Sequence, residues 1–304
     1  MSDERAPNGQ RRSHDAPSRW VSSRQHWVRA PDGVDISVRV GGNPEGWPIL
    51  FVHGLAQSHQ SFLAQFDSPL AERHRLIAYD LRGHGESGQP LDPSFYNDGS
   101  RWADELEAVI DSVAGPRPIL VGWSLGGRVV RAYLIRHGDS RISGLDFVST
   151  RPFEDPSVLA PASRANIVGR PGTLAERAAA HASFLRACFL RPPPEDDFAI
   201  ALAYNVIVPQ EIREAISSWS TGLEETRAAL AKVSVPTLIT HGRDDALILP
   251  IAAEMTAAGI KGSRISWYDD CGHSPFFEHA ERFNRELDQF ATAIKTQHVR
   301  ERGE

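Results

Sequence analysis

From Val34 to Val40 apolar and polar residues alternate: Val34, Ile36, Val38 and Val40 are apolar, while Asp35, Ser37 and Arg39 are polar. A period of two puts each set on its own face, so the segment predicts a half-buried β-strand. Asp32-Gly33 just before it is a hairpin turn signal, which makes Trp27 to Ala30 the expected antiparallel partner.

The pattern then changes. Ile49–Val52, Leu76–Tyr79, Ile119–Val121, Gly144–Val148 and Thr237–Thr240 are short apolar runs without alternation, as parallel strands buried on both faces require. Between them lie stretches of helical period. Ala103–Val113 repeats Leu106, Val109, Ile110 and Val113. Pro275–Ala293 repeats Phe276, Phe283, Leu287 and Phe290. Strand and helix in alternation predict an α/β protein with a mostly parallel, doubly wound sheet. From about Pro152 to Val233 the alternation fails. Helical patterns run over Thr173–Leu190, Glu211–Trp219 and Glu224–Leu230, broken by Pro192-Pro193-Pro194, and no strand is evident. An insertion of that length between two sheet strands is expected to be a helical lid. The resulting division is a disordered tail over 1–24, a sheet core over 25–151 and 234–295, a lid over 152–233, and a frayed charged tail over 296–304.

One pentapeptide carries the chemistry. Gly122-Trp123-Ser124-Leu125-Gly126 follows the apolar run ending at Val121 and opens the helical segment Gly127–His137. A serine flanked by glycines at a strand-to-helix turn is the sequence form of a nucleophile elbow. A serine hydroxyl is a poor nucleophile at neutral pH and needs a base, which in turn needs an orienting acid. Both are expected later in the chain, acid first, each just after a strand. His241-Gly242-Arg243-Asp244-Asp245 follows Thr237–Thr240. Cys271-Gly272-His273-Ser274-Pro275 follows the expected strand Arg264–Tyr268. The order Ser124, Asp245, His273 results, with Asp244 as the alternative acid.

These residues, together with His53-Gly54 after Ile49–Val52 and the loop Asp80-Leu81-Arg82-Gly83-His84-Gly85-Glu86-Ser87, resemble the α/β-hydrolase superfamily. The similarity runs from about residue 27 to residue 293. It is greatest to small carboxylesterases and cofactor-free haloperoxidase-like perhydrolases. It implies Asp245, three residues after the glycine, as the acid, with Glu154 and Asp155 as distant candidates from the preceding loop. It also implies that the backbone N–H groups of Leu55 and Leu125 form the oxyanion hole. Trp123, Phe184 and Phe189 are candidate pocket-lining residues. The loop Asp80–Ser87 and the histidines His53, His84 and His241 read as structural.

Composition narrows the picture. With 304 residues, 41% of them hydrophobic, and a formal net charge of −6, the chain has a large core and no basic stripe, which argues against a nucleic-acid partner. No apolar run reaches the length of a membrane span. Arg11-Arg12 is not followed by the apolar segment an export signal needs. Cys188 and Cys271 are too few for a disulfide framework, and a reduced, cytoplasmic setting is expected. No His-Glu-x-x-His or paired-cysteine motif appears and no phosphate-cradling glycine loop follows a strand, so neither a metal nor a cofactor is implied. The expected partner is a small apolar acyl compound; oligomeric state is not legible. The expected activity is serine hydrolysis of a small carboxylic ester through an acyl-Ser124 intermediate. Perhydrolysis, carbon–carbon bond hydrolysis and a ligand receptor built on a hydrolase fold are the alternatives. The glycine-proline-glycine pattern of ring-cleavage-product hydrolases is replaced here by Leu55-Ala56-Gln57-Ser58.

Overall fold

The computed structural model describes residues 23–115, 117–161 and 172–302. The tail expected over 1–24 lies, up to residue 22, outside the described residues, as do 162–171 of the expected lid and 303–304. Eight strands form one sheet: β1 (Arg24–Arg29), β2 (Asp35–Gly42), β3 (Trp47–Val52), β4 (His74–Tyr79), β5 (Ile119–Trp123), β6 (Gly144–Val148), β7 (Thr237–Gly242) and β8 (Arg264–Tyr268). Their spatial order is β1-β2-β4-β3-β5-β6-β7-β8. β2 runs antiparallel to both neighbours, and every other pairing is parallel. The chain leaves β3, crosses to β4 on one side, and returns to lay β5 on the other. The carboxyl ends of β3 and β5 therefore face a topological switch point, where open α/β sheets bind ligands.

β5, β6 and β7 are buried along their whole length, which explains their unbroken apolar runs. Alternate β3 residues serve two cores. Leu50 joins Leu106, Val109 and Tyr133 on one face, while Phe51 joins Phe62, Phe276 and Phe283 on the other. The alternation in β2 holds for Ile36 and Val38, but Ser37 is buried as well. Its N–H donates to Ser87 Oγ (2.9 Å) and its Oγ to Glu86 Oε2 (3.1 Å), because the loop after β4 folds over it.

Among the described residues the longer helices are α1 (Gly99–Val109), α2 (Leu125–His137), α3 (Leu174–Ala187), α4 (Glu195–Val206), α5 (Gln210–Ser218), α6 (Leu223–Ala231), α7 (Ile251–Gly259) and α8 (Ala280–Arg302). α6 packs on α2 and α7 and buries Leu230 in the core beside the sheet. It thus packs into the helical layer beside the sheet, as a crossover helix does. α3 starts with a capping box at Thr173 and Glu176, and its Phe184 packs with Cys188 against Leu247 and Ile248. The segment after it is tied down by Glu278, whose carboxylate accepts from the N–H groups of Leu190 (2.8 Å) and Gly272 (2.9 Å).

The C-terminal pattern differs from expectation in two ways. A short helix over Pro275–Glu278 ends at His279 (φ −128°, ψ 47°), and α8 starts anew at Ala280. α8 then continues to Arg302 where a frayed end was expected from Thr296. Ile294 is buried in the core and the His298 ring packs edge-on against Trp47, which prolongs the helix beyond its last evident apolar position.

Candidate active site

Ser124 stands between β5 and α2 with φ 53° and ψ −112°, a conformation that non-glycine residues adopt only under constraint. Its N–H is held by the Val148 carbonyl (3.0 Å). The flanking glycines make this turn possible. A Cβ on Gly122 would lie 2.8 Å from Gly127 Cα, and one on Gly126 would fall onto the Val52 carbonyl oxygen. The side chain is left half-buried at the N-terminus of α2, where free backbone N–H groups and the helix dipole favour negative charge.

His273 and Asp245 come from the loops after β8 and β7. His273 Nδ1 lies 2.7 Å from Asp245 Oδ2. The other carboxylate oxygen accepts from the N–H groups of Leu247 (2.8 Å) and Ile248 (2.9 Å). Burial by itself raises the Asp245 pKa. The adjoining His273 and His241 and the Ile248 N–H outweigh it and hold the carboxyl below its ordinary value. The exposed Asp244 instead donates its backbone N–H to the Cys271 carbonyl (3.0 Å). Glu154 pairs with Arg128 (2.9 Å) and Arg131 (2.7 Å), and Asp155 accepts from the Ser157 N–H (2.8 Å), so neither carboxylate is bonded to His273.

The bracing loops lie beneath. Leu81 N–H donates to His53 Nε2 (3.0 Å), which leaves the proton on Nδ1, facing the Gly54 carbonyl (2.8 Å). Burial keeps His53 neutral, with its pKa lowered to about 4. The bond pins the turn that leads into Leu55. His84 is likewise buried, its pKa lowered to about 3, with Nδ1 at 2.8 Å from the Arg82 carbonyl. His241 Nε2 lies 3.0 Å from the Ile248 carbonyl and 3.4 Å from Asp245, and burial lowers its pKa too. Cys188 and Cys271 are buried free thiols whose pKa values burial raises.

Ser124 and His273 open into one cavity of about 270 Å³, together with Leu55, Leu125 and Phe184. Trp123 and Phe189 do not line it. They wall a neighbouring cavity of about 300 Å³, with Phe276, Phe277 and Tyr204. Trp123 precedes Ser124 and Ser274 follows His273, so the two cavities are lined by residues adjacent in the chain. The Trp123 indole N–H also donates to the His273 carbonyl (2.9 Å), steadying the histidine loop. The Ser124 cavity has further walls that no sequence motif marks: Arg128, Ser149, Arg151, Ile216, Leu247 and Ile248. The one local signal was Arg128, four residues after Ser124 and so on the same face of α2. Among the described residues no cluster of three or more His, Cys, Asp or Glu could hold a metal ion, and no helix is long and apolar enough to cross a membrane.

An eight-stranded sheet of this order, with a serine elbow after β5 and a carboxylate–histidine pair after β7 and β8, defines the class. The alpha/beta hydrolase family matches residues 49–286, and the chain belongs to it. Its fold is close to that of a Burkholderia cenocepacia protein whose name assigns it, provisionally, to the aryl esterases. The two are 37% identical with a TM-score of 0.84, covering 90% of this chain and 100% of that one. The esterase RhEst1 from Rhodococcus sp. ECU1013 is 31% identical with a TM-score of 0.80 over the same shares of the two chains, 90% and 100%. In sequence, the bifunctional esterase/perhydrolase DCH of Acinetobacter calcoaceticus is 26% identical over 278 residues, 86% of this chain and 97% of that protein.

Proposed function

We propose that the protein is a serine hydrolase that cleaves a small carboxylic ester through an acyl-Ser124 intermediate. The observation that carries this reading is the convergence of three chain segments. A strained, half-buried Ser124 shares a cavity with His273, and a buried, ionised Asp245 holds His273 at 2.7 Å. Asp245 accepts a hydrogen bond from Nδ1–H, which leaves Nε2 unprotonated toward the cavity. His273 takes the Ser124 hydroxyl proton as Oγ attacks the ester carbonyl carbon. The N–H groups of Leu125 and Leu55 receive the developing oxyanion. His273 then gives its proton to the departing alcohol. Water, deprotonated by His273, attacks the acyl carbon, and Ser124 leaves with the returned proton. α3, α4 and α5 act as the lid, exclude water and supply Phe184 to the acyl cavity.

Replacing Ser124 by Ala is expected to lower kcat on short 4-nitrophenyl esters by about 10³-fold or more. Wild-type turnover in that variant would refute the mechanism. The likeness to a bifunctional esterase/perhydrolase favours one second reading, in which hydrogen peroxide replaces water in deacylation and a peracid is released. Adding peroxide to the same assay and measuring peracid distinguishes the two.

A further inference from the structure

The Ser124 cavity is strongly cationic on one wall. Arg128 follows Ser124 by one turn of α2, and Arg151 comes from the loop after β6; both line the cavity. Arg128 is almost fully buried, yet its single hydrogen bond among the described residues is a long one, from Nη1 to the Ile216 carbonyl (3.3 Å). Its Nη2 has no partner, and its Nε, though 2.9 Å from Glu154 Oε1, is not aligned to donate. The guanidinium carbon sits over the Trp219 ring, 4.1 Å from its centre, a cation–π contact that helps hold it in place. Arg151 is half-buried, and its side chain donates to none of the described residues. Ser149, held at φ 46°, also lines the cavity, with its hydroxyl buried and unpartnered.

The charges do not balance. Glu154 is the carboxylate that meets this group, and it already serves Arg131 (2.7 Å) as well as Arg128. Three guanidiniums thus share one acid. Burial, and repulsion among the arginines, lower the Arg128 pKa to about 9 and the Arg131 pKa to about 10, both still charged at neutral pH. Buried donors without acceptors are costly. Here they belong to Arg128 and Ser149, which wall the cavity beside the nucleophile together with the half-buried Arg151.

We infer that Arg128, Arg151 and Ser149 form an anion subsite that selects esters carrying a second, free carboxylate a few bonds from the ester carbonyl. This rests on the ester-hydrolase reading above and names its substrate class. A carboxylate offers two acceptor oxygens to the two guanidiniums, a geometry that guanidinium forks match. The ester carbonyl meanwhile lies at Ser124, one helical turn away, a rise of about 5.4 Å. A short dicarboxylic acid hemi-ester spans that interval.

The test compares monomethyl glutarate with its neutral counterpart methyl pentanoate. Wild-type kcat/KM is expected to favour the hemi-ester at least about tenfold at low ionic strength, with the preference falling as salt is added. Arg151→Gln and Arg128→Gln are each expected to cut that preference about tenfold or more, chiefly through KM, and Arg151→Lys to restore part of it. Arg151 is half-buried and satisfies no other described group, so its variants keep the test informative if Arg128→Gln fails to fold. A wild-type enzyme that cleaves methyl pentanoate as well as or better than monomethyl glutarate overturns the subsite and leaves the ester-hydrolase reading intact. If neither ester is cleaved, that reading fails and binding decides the subsite. Calorimetry with Ser124→Ala is expected to show glutarate bound and glutaramide not, with glutarate lost in the Ser124→Ala/Arg151→Gln double variant. Equal binding of the two compounds, or of neither, overturns it.

Discussion

Two buried arginine clusters flank the sheet, and they are built on opposite principles. Around Arg82, every guanidinium N–H has an acceptor. Nε donates to Glu105 (2.6 Å), Nη1 to Asp32 (2.6 Å) and the Phe95 carbonyl (3.0 Å), and Nη2 to Asp32 (3.3 Å) and the Arg101 carbonyl (3.1 Å). Asp80 alongside is equally occupied, by the His59 N–H (2.7 Å), the His59 ring (2.9 Å) and the Glu86 N–H (2.9 Å). This is the loop whose sequence reads as structural. Around Arg128, three guanidiniums share one carboxylate, and several donors in or behind the cavity wall have no acceptor. A closed ionic network fixes loops. An open one stores recognition capacity at some expense of stability.

The comparison breaks first at Glu105. Glu105→Ala leaves Nε of the fully buried Arg82 without an acceptor, reduces its counter-charge to Asp32, and also removes the acceptor of its backbone N–H (3.3 Å). A loss near the upper end of ~3–5 kcal/mol is expected, read as a lowered urea midpoint with unchanged m-value. A loss under ~1 kcal/mol would mean that the closed network does not brace the fold.

A third buried charge sharpens the contrast. Asp146 of β6 accepts from Thr240 Oγ1 (2.9 Å), but its Oδ2 is unpartnered. Burial pushes its pKa up to about 7. The folded chain therefore keeps this proton while the unfolded chain releases it near the ordinary value of 3.8. Between those values the native state binds more protons, so stability falls as pH rises from about 4 to about 7. Asp146→Asn keeps the Thr240 acceptor and removes the ionisation. Each pH unit across that interval is worth about 1.36 kcal/mol, so at pH 8 the substitution is expected to stabilise the protein by up to about 4 kcal/mol, with little effect at pH 4. Equal midpoints for variant and wild type at both pH values would show that Asp146 does not titrate in this range. Neutralisation is thus a third solution, used where a carboxylate faces neither a counter-charge nor a cavity.

Legibility in the sequence follows the same division. Strands β3 to β7 were readable because burial on both faces demands continuous apolar runs. The serine elbow was readable because its glycines are forced by backbone contacts only a few residues apart. Asp245 and His273 follow strands, so chain order points to their two loops, while the choice of Asp245 over the adjacent Asp244 comes from the family resemblance. What was missed has no local period or spacing. α4, with Phe198, Ala199, Ile200, Ala201, Leu202 and Ala203, is apolar on all sides and gives no helical stripe. The role of α6 depends on α2 and α7 lying beside it. The sequence marks Trp123 and Phe189 as pocket residues but holds no signal for which of the two cavities they face. The open cluster joins α2, the segment after β6 and α5, so its imbalance emerges only once Glu154 is seen to serve two arginines.

The smallest expected effect is the one that separates the two clusters most cleanly. Arg128→Met replaces an under-compensated buried cation with an apolar chain of similar length that still packs on Trp219. Removing Glu105, one of Arg82's two acids, is costly because satisfied donors lose their acceptor. Removing Arg128 discards donors that have little to lose and relieves repulsion with Arg131 and Arg151. The urea midpoint is therefore expected to change by less than the equivalent of about 1 kcal/mol, and upward if at all, while preference for the carboxylate-bearing ester disappears. A destabilisation as large as that of Glu105→Ala would show that Arg128 is a brace like Arg82. The distinction between closed and open networks would then fail in this protein.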